Sequence, residues 1–120
     1  MFKMVCMFNR KPGLSMAEFR DYYEKNHVPL VTSLLANWCD YRRNYRIEHA
    51  EHHAPHGDPD RPRDMVFDVM TEITYESEDM YRATMALLAD AEIGKRVSED
   101  EDRFMDRASM RVHLVDEYRS

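Results

Sequence analysis

The order of two apolar patterns along the chain constrains its fold more than any other feature. Four segments place apolar or aromatic residues at every second position, which is the period of a β-strand with two distinct faces. Two segments between them carry apolar residues at the spacing of an amphipathic helix. The strand-like segments are residues 2–8, 38–48, 65–75 and 108–117, and the helical ones begin after Ser15 and Ser77.

This order of strand, helix, strand, strand, helix and strand predicts an α+β fold of the ferredoxin-like βαββαβ type. We expect a four-stranded antiparallel sheet with both helices on one face. A chain of 120 residues suffices for one domain with its own core, so we expect a single domain over residues 1–120. Residues 92–106, EIGKRVSEDEDRFMD, are predicted to form a charged connection with room for a helical turn.

The first helix has a clear start. Ser15 and Glu18 have the spacing of a capping box, in which the Ser side chain accepts from the third helical amide and the Glu side chain reaches back. Pro29 disfavours helical geometry at the residue before it, so we expect the helix to kink or end there. His27 then lies at the end of the helix, on the same face as Tyr23.

The first strand, FKMVCMF, predicts self-association. It is largely apolar on both faces, although the two helices can cover only one of them. An uncovered apolar sheet face is typical of a partner site. We therefore predict a homodimer in which the two sheets pack face to face.

Charge and hydropathy exclude some partners. Seventeen basic and 23 acidic residues give a formal net charge of −6, and no basic stripe offsets it, so nucleic-acid binding is not expected. No apolar run reaches 18 residues, so no membrane span is expected. Cys6 and Cys39 lie in strand-like apolar runs and are predicted to be buried free thiols, as in a cytoplasmic protein.

Residues 49–64, HAEHHAPHGDPDRPRD, are rich in His and Pro and predict a loop. Its four histidines raise the possibility of a zinc site. Zinc requires about four convergent ligands on an ordered scaffold, and these occur close together in a Pro-rich segment without paired cysteines. We therefore expect no bound metal, and a loop that covers the mouth of a pocket.

Three segments resemble the EthD domain family. The stretch RKPGLSMAEFRDYYEKNHVPLV at 10–31 is similar to the opening turn and helix of that family, and DVMTEITYES at 68–77 to its third strand. EDRFMDRASMRVHLVDE at 101–117 is similar to its closing segment. The resemblance implies a dimeric α+β barrel and acid–base chemistry without a metal or organic cofactor. The family and its relatives include polyketide dehydratases, lactone isomerases and accessory proteins of ether degradation, and quinone-forming monooxygenases share the barrel.

The resemblance singles out His27 as the acid/base of a pocket, whereas composition alone favours packing or helix capping. A histidine that titrates near neutrality can move a proton in either direction. Asp68 and Glu72 are predicted on one face of the third strand, where either could orient the imidazole or act as a second acid/base. The alternative is that they are exposed or paired with arginines of the second strand. Tyr41 can pack in the core or donate to a substrate carbonyl or enolate oxygen.

Four further residues are candidates for substrate binding. They are Tyr23, Trp38, Asn44 and His113. Asn44 is a polar residue of the second strand, and His113 alternates with apolar neighbours on the last one, where a structural histidine is the alternative.

These observations favour a cofactor-independent lyase or isomerase. The expected reaction is the dehydration or lactone rearrangement of a small, hydrophobic, oxygenated aromatic or polyketide-like compound. Two alternatives remain open: a cofactor-free monooxygenase acting on an electron-rich phenol, and a non-enzymatic accessory protein that binds a small ligand. A requirement for oxygen would distinguish the monooxygenase, and a cavity without convergent ionisable groups would favour the accessory protein.

Overall fold

The computed structural model describes residues 1–48 and 67–120 and has the element order predicted from the sequence. The strands are β1 (Phe2–Arg10), β2 (Asp40–Tyr45), β3 (Val69–Tyr75) and β4 (Met105–Val115). The helices are α1 (Met16–Tyr22), α2 (Val28–Leu35), α3 (Glu78–Ala89) and α4 (Ala91–Glu101), with a π-helical turn at Tyr23–His27 between the first two. The predicted loop at 49–64 and the first two residues of the predicted third strand lie outside the described residues.

The strands form one antiparallel sheet in the order β2-β3-β1-β4. Cys6 of β1 pairs with Thr71 of β3 on one side and with Val112 of β4 on the other. The apolar residues of β1 that face the helices, Cys6 and Phe8, pack in one core with Phe19 and Phe104. This arrangement confirms the predicted ferredoxin-like fold with the helices on one face of the sheet.

The sequence predicted that the first helix kinks or ends before Pro29. In the structure the helix does not end there. It continues to Leu35 through the π turn, in which the N–H of Val28 donates to the carbonyl of Tyr23, five residues earlier. Pro29 then falls in the first turn of α2, where its missing N–H is tolerated. The wider turn leaves both Tyr23 and His27 buried against the sheet.

The predicted connection at 92–106 is mostly helix. Asp90 caps α4 by accepting from the N–H groups of Glu92 and Ile93, each at 3.0 Å. Val97 and Asp100 are the buried residues of this helix. The end of α4 lies beside His27.

Two further expectations concern the cysteines and membranes. Cys6 is buried, as predicted, but Cys39 is exposed because it lies just before β2 rather than inside it. Across residues 1–48 and 67–120, no helix is long and apolar enough to cross a membrane.

Candidate active site

A cavity of about 400 Å³ lies between the sheet and the helices. This volume is in the range of sites that bind small molecules. Its wall is mostly apolar and aromatic, with contributions from all four strands, the π turn and helices α2 to α4. The side chains in the wall that can form hydrogen bonds or exchange a proton are Cys6, Tyr23, His27, Trp38, Tyr41, Thr71, Tyr75, Tyr81, Thr84, Ser98 and Glu101.

His27 is held in one orientation by a carboxylate. Its Nδ1 lies 2.8 Å from Oδ2 of Asp100, and the hydroxyl of Tyr22 donates to the other oxygen, Oδ1, at 2.6 Å. Phe104 packs against the imidazole with ring centroids 4.8 Å apart. Because an ionised carboxylate only accepts, Nδ1 carries the proton and Nε2 is the basic nitrogen of the neutral ring.

The surroundings of His27 favour the neutral ring. Its side chain is only 6% exposed, and this burial lowers its pKa, while the hydrogen bond to Asp100 and the charge of Asp100 oppose the shift. A neutral imidazole with one nitrogen fixed by a carboxylate can accept a proton through the other nitrogen.

The prediction that Glu72 faces His27 is wrong. Neighbouring residues of a strand point to opposite faces, and Thr71 and Ile73 are the ones that line the cavity. Glu72 lies on the other face, 2.7 Å from Lys3 Nζ, and accepts a hydrogen bond of 2.9 Å from Asn44. These two hydrogen bonds lower the pKa of Glu72, with that from Lys3 the larger cause.

Asn44 and His113 lie apart from the cavity for the same reason as Glu72. Asn44 shares the outer sheet face with that carboxylate. His113 pairs with Val5 across β1 and β4, and the cavity residues of β4 are Met105, Met110 and Val112. The structure therefore contradicts both as substrate contacts in this cavity.

Asp68 also lies outside the cavity. It precedes β3, where its carboxylate accepts from the backbone N–H of Arg10 at 2.8 Å and from the guanidinium of Arg46 at 3.0 Å. These contacts join the end of β1 to the segment after β2. Asp68 is therefore paired with an arginine, as the alternative interpretation expected. The prediction that Asp68 faces His27 as a catalytic group is wrong.

Tyr23, Trp38 and Tyr41 are brought together with His27 in the cavity wall. The hydroxyl of Tyr23 lies 2.8 Å from that of Tyr41 and 2.8 Å from Oγ1 of Thr71. Trp38 packs edge to face on Tyr41, with ring centroids 5.2 Å apart. Burial raises the pKa of Tyr23 to about 12 and that of Tyr41 well above its usual value of 10.0. Both phenols therefore stay protonated and can donate hydrogen bonds.

Sequence reasoning missed two carboxylates at the end of α4. Asp100 binds His27, and Glu101 lines the cavity. Burial raises the pKa of Glu101, helped by the charges of Asp102 and Asp100 and opposed by Arg107. The sequence held a signal for both, because Glu101 opens the closing segment that resembles the EthD family and Asp100 directly precedes that segment.

The described residues contain no group of three or more His, Cys, Asp and Glu side chains placed to hold a metal ion. The zinc site considered from the sequence would use four histidines that lie outside the described residues: His49, His52, His53 and His56.

The fold and cavity define a ferredoxin-like α+β domain with a cavity of small-molecule size between its sheet and its helices. Residues 11–108 match the model of the EthD domain. The chain belongs to the EthD domain family, as the sequence resemblance predicted.

Comparisons with individual proteins agree with this assignment. The chain is 26% identical over 115 residues to the "conidial pigment biosynthesis dehydratase EthD" of Metarhizium robertsii, which covers 91% of this chain and 78% of that protein. An EthD-family protein from Bacillus halodurans matches in structure with a TM-score of 0.61 and 19% identity, over 98% of this chain and 99% of the other. A dimeric ferredoxin-like protein of unknown function from Thermobifida fusca matches with a TM-score of 0.55 and 11% identity, over 95% and 88%.

Proposed function

We propose that this protein is a cofactor-independent lyase that dehydrates a small, oxygenated aromatic or polyketide-like compound, with His27 as its general base. The observation that carries the proposal is the buried His27–Asp100 pair, whose imidazole lies in the wall of a mostly apolar and aromatic cavity. A neutral imidazole fixed through Nδ1 keeps Nε2 for abstraction of a proton, and such catalysis contributes roughly 10²–10⁴ to a rate.

The proposed substrate class is a β-hydroxy ketone, and the chemistry of the wall supports this choice. A β-hydroxy ketone has an acidic C–H beside its carbonyl, and loss of that proton gives an enolate. In this proposal Nε2 of His27 accepts the proton, and the hydroxyl of Tyr41 donates to the enolate oxygen. The hydroxyls of Thr71, Tyr23 and Tyr41 form a chain that can orient the last one toward the substrate. Aromatic and Met side chains suit the apolar part of such a compound.

The Metarhizium robertsii relative supports dehydration over lactone rearrangement, because that protein is described as a dehydratase. The identity of 26% leaves the compound itself to be identified by experiment. We accordingly propose the reaction type together with a substrate class.

We also propose that the protein forms a homodimer through the outer face of its sheet. Val5 and Met7 of β1 and Met70 of β3 lie on this face, and each is only partly buried in the single chain. They form an apolar patch among charged and polar side chains such as Lys3 and Glu72, on a sheet face that no described helix covers. Such a patch fits a second copy of the chain. The dimeric Thermobifida fusca protein of similar fold supports this assembly.

The reaction can be tested with 3-hydroxy-1-tetralone, a two-ring β-hydroxy ketone whose dehydration gives fluorescent 1-naphthol. We expect the protein to accelerate this conversion equally in air and under nitrogen. Turnover that requires oxygen would contradict a lyase and favour the monooxygenase alternative. Quenching of Trp38 fluorescence without turnover of this or related hydroxy ketones and lactones would favour an accessory binding protein.

A further inference from the structure

Glu101 is an ionisable residue of the cavity that has no role in the mechanism proposed for His27 and Tyr41. It lines the wall that contains His27, and its carboxyl forms no hydrogen bond with the part of the chain that the structure describes. We propose that Glu101 is the general acid of this site, which protonates the departing hydroxyl while His27 takes the proton from carbon. The inference rests on the proposed dehydratase function and adds a second catalytic residue to it.

The geometry of α4 gives two adjacent carboxylates different positions. Neighbouring residues of a helix do not face the same side. Asp100 therefore points to His27 and Tyr22, whereas Glu101 points to the cavity. One carboxylate fixes the base, and the other is free to meet a substrate.

The charges around Glu101 favour the protonated carboxyl that a general acid needs. Burial raises its pKa, and so do the neighbouring carboxylates of Asp100 and Asp102; Arg107 at the start of β4 has the opposite effect. The other titratable groups of the cavity wall are Cys6 of β1, Tyr23 and His27 of the π turn, Tyr41 of β2, Tyr75 of β3 and Tyr81 of α3. Burial raises the pKa of the Cys6 thiol and of the phenols of Tyr23, Tyr41 and Tyr75, which favours their neutral forms.

Burial thus acts on the two groups in opposite directions. It lowers the pKa of His27, which favours the unprotonated base, and raises that of Glu101, which favours the protonated acid. The two shifts bring the pKa values towards each other, and each favours the neutral form that the group needs as base or acid.

The step balances with these two residues. The C–H bond breaks, its proton binds Nε2 of His27, and its electron pair becomes the new C=C bond. The C–O bond breaks, and the oxygen takes the proton of Glu101 and leaves as water. The imidazolium and the carboxylate that remain are restored when one proton passes from His27 to Glu101 through water.

The decisive experiment varies the leaving group. A departing hydroxyl needs a proton, whereas acetate leaves readily without one. Turnover of 3-hydroxy-1-tetralone and of its acetate ester is measured for the native protein and for Glu101→Gln, Glu99→Gln and His27→Asn. Glu99 is exposed on the same helix and gives the matched control.

We expect Glu101→Gln to lower kcat on the alcohol by roughly 10²–10⁴-fold and to retain most turnover of the ester. His27→Asn should lose turnover of both compounds, and Glu99→Gln of neither. Equal losses on alcohol and ester in a folded Glu101→Gln protein, or no loss on either, would overturn the assignment of Glu101. Failure of the native protein on both compounds would instead reject the proposed lyase, so the two failures are distinguishable.

Discussion

Asp100 Oδ2 lies 2.8 Å from His27 Nδ1, although the two residues are separated by 73 positions in the chain. The contact joins the π turn of the first helix to the end of α4. The carboxylate fixes the proton of the imidazole on Nδ1 and leaves Nε2 as its basic nitrogen, which is the atom that the proposed mechanism uses.

The first prediction concerns His27 itself. His27→Asn keeps a polar side chain but removes a group that titrates near pH 7, so turnover of 3-hydroxy-1-tetralone should fall by roughly 10²–10⁴-fold. Because Asp100 loses a buried partner, the free energy of unfolding should also fall by about 1–3 kcal/mol. His113→Asn is the matched control, since His113 is exposed on the other sheet face. Full turnover by a folded His27→Asn protein would show that His27 is not the general base.

The second prediction separates positioning from packing at Asp100. The hydrogen bond and charge of Asp100 hold the pKa of His27 above the value that burial alone would impose. Asp100→Asn should therefore lower the pKa of His27 further below 6.5, and NMR titration of the imidazole measures this directly. The kcat should fall, with less effect on KM, because the ring loses its fixed orientation. An unchanged imidazole pKa would show that Asp100 does not act through His27.

The third prediction concerns the proposed donor to the enolate oxygen. Tyr41→Phe removes one hydroxyl and leaves the hydrogen bond between Tyr23 and Thr71 in place. Loss of one such donor lowers kcat by roughly 10²–10³-fold in enzymes that stabilise an oxyanion. Tyr45→Phe is the control, because Tyr45 lies on the same strand but its hydroxyl donates to Glu24 outside the cavity. Equal kcat values for the two variants would remove Tyr41 from the mechanism.

The strands and the fold were predictable from the sequence because a period of two is a local signal, and each strand retains it. The face of β3 that meets the helices was not predictable in the same way. Both faces of this strand mix apolar and polar residues, such as Met70 and Glu72 on one and Thr71 and Ile73 on the other. Only the complete sheet decides between them, and it places Glu72 beside Lys3.

The α4 helix was missed because its sequence is dominated by charge. Val97 is its only buried apolar residue, so no apolar stripe marks the helix. Asp100 and Glu101 therefore fall in a segment that the sequence predicts to be a charged connection with room for a helical turn. Their contacts with the cavity depend on how α4 packs near the π turn, and no local pattern encodes that long-range relation.

The fourth prediction follows from the raised pKa of Glu101. Native protein binds a proton at Glu101 over a pH range in which the unfolded chain, with a pKa near 4.5, has lost it. This contribution to stability is present below the unfolded pKa and is lost as the pH rises through the folded pKa. Glu101→Gln should therefore gain stability relative to native protein between pH 4 and pH 7, as measured by urea unfolding.

Glu99→Gln serves as the control for that measurement, because Glu99 is exposed and its substitution should leave the pH dependence unchanged. A constant stability difference between native protein and Glu101→Gln from pH 4 to pH 7 would contradict a raised pKa. The result is independent of any substrate, so it tests the protonation of Glu101 separately from its role in catalysis.

The fifth prediction concerns assembly through the outer sheet face. Val5 lies between Glu72 of β3 and His113 of β4 in the register of the sheet. Val5→Asp would place a second carboxylate beside Glu72 and bury a charge in the proposed contact, which is unfavourable without a partner. Light scattering should give about twice the 14.4 kDa chain mass for native protein and a monomer for Val5→Asp. Met80→Asp, on helix α3 away from this face, should remain dimeric. A native protein that scatters light as a stable monomer would contradict the proposed dimer.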